Sequence, residues 1–439
     1  MKNNKIGMVS LGCAKNLVNS EQMMYLLSEA GFEVTGETDG ANVVVLNTCG
    51  FIESAKMEAI ETIIELGEAK KAGRFNKLIV AGCLAQRYKD EIFAEMPEID
   101  GLIGVGSFGE IVTAVRALLD GGEKPALFGD INAPLEETGR LLTSSPAWTY
   151  LKIAEGCDNR CAFCAIPDIR GRFRSRPMEN IVREAAELTA RGVRELIIVA
   201  QDSTRYGLDL YDKRSLTELL KRLCDIEDLK WLRLHYLYPH EMDDELIDLI
   251  AENDKILKYL DIPIQHISDG VLAKMRRRGT SGEIRDLISR LRSRIPGVVI
   301  RTSVITGLPG EGEREFEELC DFLREAKIER AGVFPYSPEE GTPAAEMVRA
   351  DEETAMRRAE LLADIQARVL DEFNESRIGQ TMPVLIEGHN GVHYYGRSYA
   401  ESPDVDGYVL VSGDNIRINE FVQVRIIRTQ DGEPLGEVI

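Results

Sequence analysis

The residues best suited to chemistry are three cysteines in the run AEGCDNRCAFCAIP, at Cys157, Cys161 and Cys164. Iron–sulfur clusters normally take four cysteine ligands, so a four-iron cluster held by this CxxxCxxC loop keeps one iron open. A zinc knuckle or part of a ferredoxin site is the alternative. Those sites normally bring a fourth Cys or His from nearby, whereas here the next thiol is Cys224 and the next imidazole is His235.

In radical enzymes, the open iron of such a loop binds S-adenosylmethionine (SAM) through the amino and carboxylate groups of SAM. The loop therefore predicts a SAM-binding 4Fe-4S cluster, in which the outside ligand completes the coordination.

Three more cysteines, Cys13, Cys49 and Cys83, each follow a short apolar run directly, in SLGCAKN, NTCGF and AGCLAQR. These runs predict parallel strands, and the carboxyl ends of parallel strands share one ligand-binding edge of the sheet. We therefore expect the three thiols to converge and to hold a second, auxiliary cluster, also with one open iron. The alternative is three buried structural cysteines, since buried Cys is common.

Length and composition indicate a large cytoplasmic enzyme. The chain has 439 residues and eight cysteines, which predicts two to four domains and metal ligands in a reducing compartment. The beginning of the chain has no apolar signal stretch, and no apolar run is long enough to cross a membrane. Cys224 and Cys320 lie in amphipathic helical patterns, which predict core packing.

The chain divides into an α/β part and a β part. Residues 1–125 alternate strands and helices and predict a parallel α/β domain, and residues 126–147 are rich in turn formers and predict a linker. Six strand patterns with intervening helices in residues 148–374 predict a partial (β/α)6 barrel. Residues 377–439 then predict a small antiparallel β-barrel.

Several polar groups fall at the carboxyl ends of the predicted barrel strands. Gln201 and Asp202 follow the second strand and are candidate SAM contacts. Gly307, in TGLPGEGE, indicates either a SAM contact or turn geometry. A homolytic hydrogen abstraction needs no base, so we expect no catalytic role for the histidines near this rim, which are His235, His240 and His266.

The distribution of charge along the sequence indicates whether the partner is a protein or a nucleic acid. The net charge of −21 disfavours a large nucleic-acid footprint. The last 63 residues, 377–439, hold five Arg, no Lys and nine Asp or Glu, so this barrel is predicted to dock a basic protein rather than RNA. Within it, the turn AESPDVDG offers Glu401, Asp404 and Asp406 as substrate-binding carboxylates. Two basic runs, Arg170–Arg176 and Arg276–Arg278, indicate solvated faces or contacts with rRNA or substrate.

These motifs, in this order, resemble the radical-SAM methylthiotransferases over nearly the whole chain, with a TRAM-type β-barrel at the end. The segments SLGCAKNLVNSE, DIPIQHISD and VFPYSPEEGTPA are similar to the branch that modifies small-subunit ribosomal protein twelve. The tRNA-modifying relatives tend to begin their first motif with aromatic-Gly-Cys-Gln, which is absent here.

The resemblance implies two 4Fe-4S clusters and two roles for SAM, as methyl donor and as radical source. The implied product carries a methylthio group on the β-carbon of an aspartate in that ribosomal protein, whether free or in the ribosomal subunit. The implied partners are a flavodoxin- or ferredoxin-type electron donor and a sulfur source, with no membrane. The implied ligands are Cys157, Cys161 and Cys164 for the SAM-binding cluster, and Cys13, Cys49 and Cys83 for the auxiliary cluster.

Two other functions remain open at this point. One is a tRNA adenosine methylthiotransferase that uses the same machinery, which the acidic charge disfavours. The other is a non-catalytic Fe–S or RNA-binding module, suggested by the terminal β-barrel alone. RNA-binding barrels usually present aromatic platforms beside a basic groove, and the acidic balance of residues 377–439 argues against this.

Overall fold

A computed structural model describes residues 4–439. Its first part is a parallel six-stranded sheet with the strand order β2-β1-β3-β4-β5-β6. The apolar run of each long strand is buried on both faces, as a sheet covered by helices requires. The strands are β1 (Lys5–Ser10), β2 (Glu33–Thr35), β3 (Val43–Thr48), β4 (Lys77–Gly82), β5 (Gly101–Ile103) and β6 (Ala126–Leu127).

The order in which successive strands are added to the sheet reverses between β1 and β3. The strand after β1, β2, lies on one side, and the strand after β3, β4, lies on the other. Such a switch point opens a crevice at the carboxyl ends of the two strands. The connecting helices cover both faces of the sheet and are α1 (Ala14–Glu29), α2 (Glu53–Lys71), α3 (Cys83–Glu95) and α4 (Ile111–Leu119).

The central part is a second parallel sheet, in the order β14-β13-β12-β11-β10-β7. All six predicted strands are present, and a short hairpin of β8 (Ala154–Glu155) and β9 (Arg174–Ser175) was not predicted. The six strands are β7 (Trp148–Lys152), β10 (Glu195–Val199), β11 (Trp231–Leu234), β12 (Ile256–Asp261), β13 (Val299–Thr306) and β14 (Arg330–Pro335).

Helices cover the outer face of this sheet, where Leu151, Leu196 and Leu232 belong to one large apolar core. Alternate residues such as Ile197 and Tyr259 face the other side and pack against α1 and the C-terminal barrel. The helices are α5 (Ile166–Arg170), α6 (Met178–Ala190), α7 (Leu216–Cys224), α8 (Asp244–Glu252), α9 (Asp269–Lys274), α10 (Ser281–Arg294), α11 (Glu313–Ala326) and α12 (Glu352–Ser376).

The last part is a closed β-barrel in the order β15-β16-β17-β19-β18. Closure needs a parallel pairing of β17 with β19, a strand that the sequence pattern did not predict. The predicted fold class is thus confirmed: two parallel α/β sheets and a small terminal barrel. Among the described residues, no helix combines the length and apolar composition needed to cross a bilayer. The barrel strands are β15 (Thr381–His389), β16 (Tyr394–Arg397), β17 (Val409–Ser412), β18 (Phe421–Gln430) and β19 (Glu433–Val438).

The acidic turn of this barrel is not the exposed surface that the sequence suggested. Glu401 is fully buried and pairs with Arg330 and Arg377 at 3.0 and 2.5 Å. Asp406 accepts a hydrogen bond from the Tyr259 hydroxyl inside the central barrel. The substrate-binding prediction is therefore wrong for these two carboxylates, because they anchor one domain to another.

The third carboxylate of the turn, Asp404, is exposed, but it too makes an interdomain contact. Its Oδ2 accepts a hydrogen bond of 2.8 Å from the Tyr150 hydroxyl. All three carboxylates of the turn thus contact residues outside it.

Glu401→Gln should destabilise the protein by about 3 kcal/mol near neutral pH, because it leaves two arginines without their shared carboxylate. Arg377 and Arg330 outweigh burial and lower the pKa of Glu401 from 4.5 to about 2. A carboxylate with a depressed folded-state pKa stabilises above its unfolded pKa and loses that contribution as pH falls. The deficit should therefore shrink between pH 4.5 and about 2. Denaturant unfolding at several pH values measures this loss of unfolding free energy, and Glu437→Gln at an exposed position is the control. A deficit independent of pH would contradict the ion pairing.

Candidate active site

The CxxxCxxC loop begins directly after β8 and is fixed at both ends. Gly156 has φ +78°, and a Cβ there would lie 2.1 Å from the Arg172 carbonyl oxygen, so only glycine fits. The Cys157 amide donates to the Gly171 carbonyl at 3.1 Å, and the Cys164 amide donates to the Cys161 carbonyl at 3.1 Å. The backbone thus holds the three thiols in one compact turn.

Two thiols of this loop, Cys157 and Cys164, hold their protons more tightly than a free thiol does. Burial raises the pKa of Cys157 to about 12 and also raises that of Cys164. Arg277 approaches the Cys161 sulfur, with 3.7 Å between Nη1 and Sγ. Metal binding must therefore displace protons, as expected for thiolate ligands.

The N-terminal cysteines converge at the switch point of the first sheet. Cys13 precedes α1, Cys49 follows β3 and Cys83 begins α3. A glycine beside each cysteine lets the strand ends approach: a Cβ on Gly12 would lie 2.7 Å from the Cys49 Cβ. Gly50 and Gly82 are equally crowded, by Leu84 and Asn47.

Two asparagines fix the spacing of these strand ends. The Asn16 amide donates to the carbonyls of Leu11 and Thr48, both at 2.9 Å. The Asn47 amide donates to the Asn16 carbonyl at 2.9 Å and to the Ser20 hydroxyl at 2.8 Å. These contacts join the segments that carry Cys13 and Cys49.

The charges around the N-terminal thiols differ from site to site. Burial, together with the neighbouring Cys83 and Cys13, raises the pKa of Cys49 to about 11. Crowding by protein atoms opposes ionisation of Cys13 as well, but Lys15 and Arg170 outweigh it and lower the pKa of Cys13. The three cysteines thus lie at the same carboxyl edge of the first sheet.

Arg170 connects the two cysteine groups, and sequence reasoning missed this role. It is 1% exposed, ends the short helix after Cys164 and donates to the Cys83 sulfur at 3.2 Å. It also donates to Asn16 Oδ1 at 2.7 Å and to Glu155 Oε1 at 2.8 Å. Arg170 therefore belongs to the interface between the domains.

The other arginines of the run Arg170–Arg176 also contact groups of the protein itself. Arg176 is buried and pairs with Glu137 and Glu184. Arg174 donates to the Ala133 carbonyl. Arg172 pairs with Asp158 at the surface. The expectation of a solvated or rRNA-binding face is thus wrong for Arg170 and Arg176.

The two groups of thiols suit multi-iron clusters. Thiolates are soft ligands that select zinc, copper(I) or Fe–S clusters. Within residues 4–439, no three His, Cys, Asp or Glu side chains lie close enough together to hold a single ion. Arg170, which pairs with Glu155, also donates to the Cys83 sulfur and helps lower the pKa of Cys13. An anionic three-thiolate cluster fits a site where a buried guanidinium already donates to one of the sulfurs.

A cleft of about 1260 Å³ is lined by a sequence neighbour of each cysteine group. Phe51, two residues after Cys49, lines one side, and Phe163, from the CxxxCxxC loop, lines another. Ser337 closes it by accepting a hydrogen bond of 3.3 Å from the Glu53 amide. The cleft thus borders the loop after Cys49 and the CxxxCxxC loop.

The segment after β14 is clamped to the N-terminal domain near Cys49. Glu339 is buried and pairs with Lys56 at 3.2 Å and with Arg87 at 2.7 Å. Arg87 also donates to the Gly50 carbonyl at 3.0 Å. This ion-pair group holds the wall of the cleft against the cysteine-bearing loop.

The predicted SAM contacts have different surroundings. Gln201 donates to Glu155 at 2.7 Å, and its carbonyl oxygen is buried without a partner. Asp202 accepts hydrogen bonds from Asn159 and Thr204. Gly307 has φ +76° and packs so closely on helix α12 that a Cβ would lie 2.5 Å from the Ala355 Cβ. Turn geometry and packing thus account for Gly307, which also lines the cleft.

The histidine at the rim of the barrel has a structural contact. His235 Nε2 lies 2.8 Å from the Ser402 hydroxyl of the C-terminal barrel. Burial, reinforced by Arg233, lowers the pKa of His235 well below its usual value. His235 is thus a neutral, buried imidazole at a contact between the central and terminal domains.

Three family models match the chain. Residues 5–104 match the model described as "Uncharacterized protein family UPF0004", residues 151–323 match the Radical SAM superfamily, and residues 378–439 match the TRAM domain. The fold and the site thus define a radical-SAM protein with an N-terminal cysteine domain and a terminal TRAM barrel.

Similar proteins of known name cover the whole length. The chain is 47% identical over 447 residues to the ribosomal protein uS12 methylthiotransferase RimO of Acetivibrio thermocellus, covering 99% of this chain and 98% of that protein. It is 49% identical to the protein of that name from Pelotomaculum thermopropionicum, covering 99% of each. The chain belongs to the RimO family of radical-SAM methylthiotransferases.

Solved structures share the fold at low identity. The radical SAM methyltransferase TsrM from Kitasatospora setae, with cobalamin and a [4Fe-4S] cluster bound, has a TM-score of 0.60 at 15% identity, covering 79% of this chain and 77% of that chain. The cobalamin-dependent SAM radical enzyme OxsB has a TM-score of 0.54 at 13% identity, covering 84% of this chain and 56% of that chain. These likenesses concern the fold alone.

Gly12→Ala should separate the strand ends that carry Cys13 and Cys49. Gly31→Ala is a matched control, since the φ angles are +85° and +87° but nothing lies within 4 Å of a Cβ at position 31. Both changes strain the backbone, so the clash alone should cost Gly12→Ala about 1–3 kcal/mol more in unfolding free energy. The iron content after reconstitution should fall only in Gly12→Ala. Equal effects of the two changes would contradict the close approach.

Proposed function

We propose that this protein inserts a methylthio group at the β-carbon of an aspartate of uS12, small-subunit ribosomal protein twelve. The observation that carries the proposal is the contact of Arg170 with both cysteine-bearing regions, beside a cleft that borders a loop from each. A radical source and a sulfur carrier must both reach the same substrate carbon, and this arrangement allows it. The similarity to the uS12 enzymes supports the choice of substrate.

Two 4Fe-4S clusters are proposed, one held by Cys157, Cys161 and Cys164 and the other by Cys13, Cys49 and Cys83. When bound, they supply reductive cleavage of one SAM to a 5′-deoxyadenosyl radical, and a sulfur that receives the methyl group of another SAM. The protein's part is binding, orientation and exclusion of water. The orphaned carbonyl oxygen of Gln201 supports a contact with the SAM amino group.

An electron donor of flavodoxin or ferredoxin type and a sulfur source complete the proposed reaction. The donor supplies one electron, which cleaves SAM to methionine and the 5′-deoxyadenosyl radical, and this radical takes a hydrogen atom from the β-carbon to become 5′-deoxyadenosine. The carbon radical then bonds to the sulfur of the methylthiolate, which releases one electron. The alternative function, a tRNA adenosine methylthiotransferase, would use the same cysteine groups and the same donors. The net charge of −21 supports the basic ribosomal protein over tRNA.

Mass spectrometry tests the substrate. In cells that contain this protein, uS12 should carry one methylthio group in place of a hydrogen on an aspartate, and in cells without the gene the addition should be absent. Nucleoside analysis of tRNA from the two strains serves as the control and should show no difference. A methylthio change in tRNA with unmodified uS12 would overturn the substrate.

Iron analysis tests the two clusters. Protein reconstituted without oxygen should hold about eight irons, and either triple Cys→Ala variant about four. The variant lacking Cys157, Cys161 and Cys164 should no longer cleave SAM. The variant lacking Cys13, Cys49 and Cys83 should still form 5′-deoxyadenosine but insert no methylthio group. Full insertion by the second variant would contradict the division of roles.

A further inference from the structure

Lys15 is the exception among the buried cations. It is 6% exposed and lies in the first turn of α1, two residues after Cys13. Within residues 4–439 every other buried lysine or arginine forms an ion pair with a carboxylate, whereas Lys15 forms none. The paired ones are Lys56, Arg140, Lys152, Arg170, Arg176, Arg233, Arg330, Arg358, Arg377 and Arg397. Because an unpaired buried charge is costly, this position is suited to an anion from outside the chain.

The Lys15 ammonium extends from the N-terminal domain to the mouth of the central barrel. Its Nζ lies 3.4 Å from the centre of the Tyr236 ring, a cation–π contact just beyond β11. Tyr236 has φ +59°, a strained conformation for an aromatic residue, and its amide donates to Asp261 Oδ2 at 3.1 Å. Strained backbone of this kind concentrates at ligand sites.

The chemistry of the proposed substrate supplies a matching anion. In an aspartate, the side-chain carboxylate is bonded to the β-carbon that takes the methylthio group. That carbon must come near the sulfur at the N-terminal thiols, so its carboxylate must come near Cys13 as well. Lys15 is the buried cation next to Cys13 that has no carboxylate of its own.

We propose that Lys15, seated on the Tyr236 ring, binds the side-chain carboxylate of the substrate aspartate and selects an acidic residue. This rests on the proposed function and goes further by assigning the residue that sets specificity. An amide in place of the carboxylate would leave the ammonium unpaired, so aspartate is favoured over asparagine by charge rather than by shape.

Binding measured without reductant tests the assignment, because no turnover then occurs. Reconstituted protein with SAM is titrated with uS12 that carries either the target aspartate or asparagine in its place. Wild-type protein should bind the aspartate form about 30-fold more tightly, the loss expected when one partner of a buried charge pair is removed. Lys15→Met should bind the two forms equally, and Lys15→Arg should keep the preference.

Lys70→Met is the matched control and should behave as wild type. Lys70 is also a lysine of the N-terminal domain, and it pairs with Asp100 at the opposite end of the sheet. A preference for aspartate that survives in Lys15→Met would overturn the proposal. Loss of the preference supports it when the iron content is unchanged. Loss of the preference together with loss of iron would assign Lys15 to cluster binding and would also overturn the proposal.

The same titration separates this proposal from the proposed function. If wild-type protein bound tRNA and neither form of uS12, the substrate itself would be wrong, and the role of Lys15 would fall with it. If wild-type protein bound uS12 with no preference between aspartate and asparagine, only the role of Lys15 would be overturned.

Discussion

The buried guanidinium of Arg170 is the contact on which the placement of the two cysteine groups depends. It ends the helix that directly follows Cys164, and it reaches both Glu155 in the barrel and Cys83 in the N-terminal domain. Removing one partner of such a buried set is costly, since the remaining charges stay out of water. Arg170 thereby holds the N-terminal and central domains together beside the two cysteine groups.

Buried ion pairs also join other parts of this protein. Glu195 lies fully buried between Arg233 and Arg397, which joins the central and terminal barrels. Arg140 of the segment between the two α/β domains pairs with Glu21 and Glu184. Buried ion pairs give weak net stabilisation but penalise every arrangement that separates them. They therefore explain how the cysteine-bearing regions keep one fixed arrangement.

The sequence was sufficient for the fold class, because strand and helix periodicity are local signals and the glycine beside each N-terminal cysteine marks a close approach. It was insufficient for strands of two or three residues such as β5 and β6, which hold too few residues to show a period. It also misjudged Glu401 and Arg170. Their partners Arg330 and Cys83 are distant in the chain, and an acidic turn or basic run looks the same whether it is solvated or paired.

Electron paramagnetic resonance of the fully reduced, reconstituted protein tests the central claim most directly, namely that both cysteine groups face one cleft across the Arg170 contact. Two paramagnetic clusters so close together interact magnetically. We therefore expect the wild-type spectrum to differ from the sum of the spectra of the two variants that each lack one cysteine group. We also expect Arg170→Gln to move the spectrum towards that sum. A wild-type spectrum equal to the sum would contradict the shared cleft.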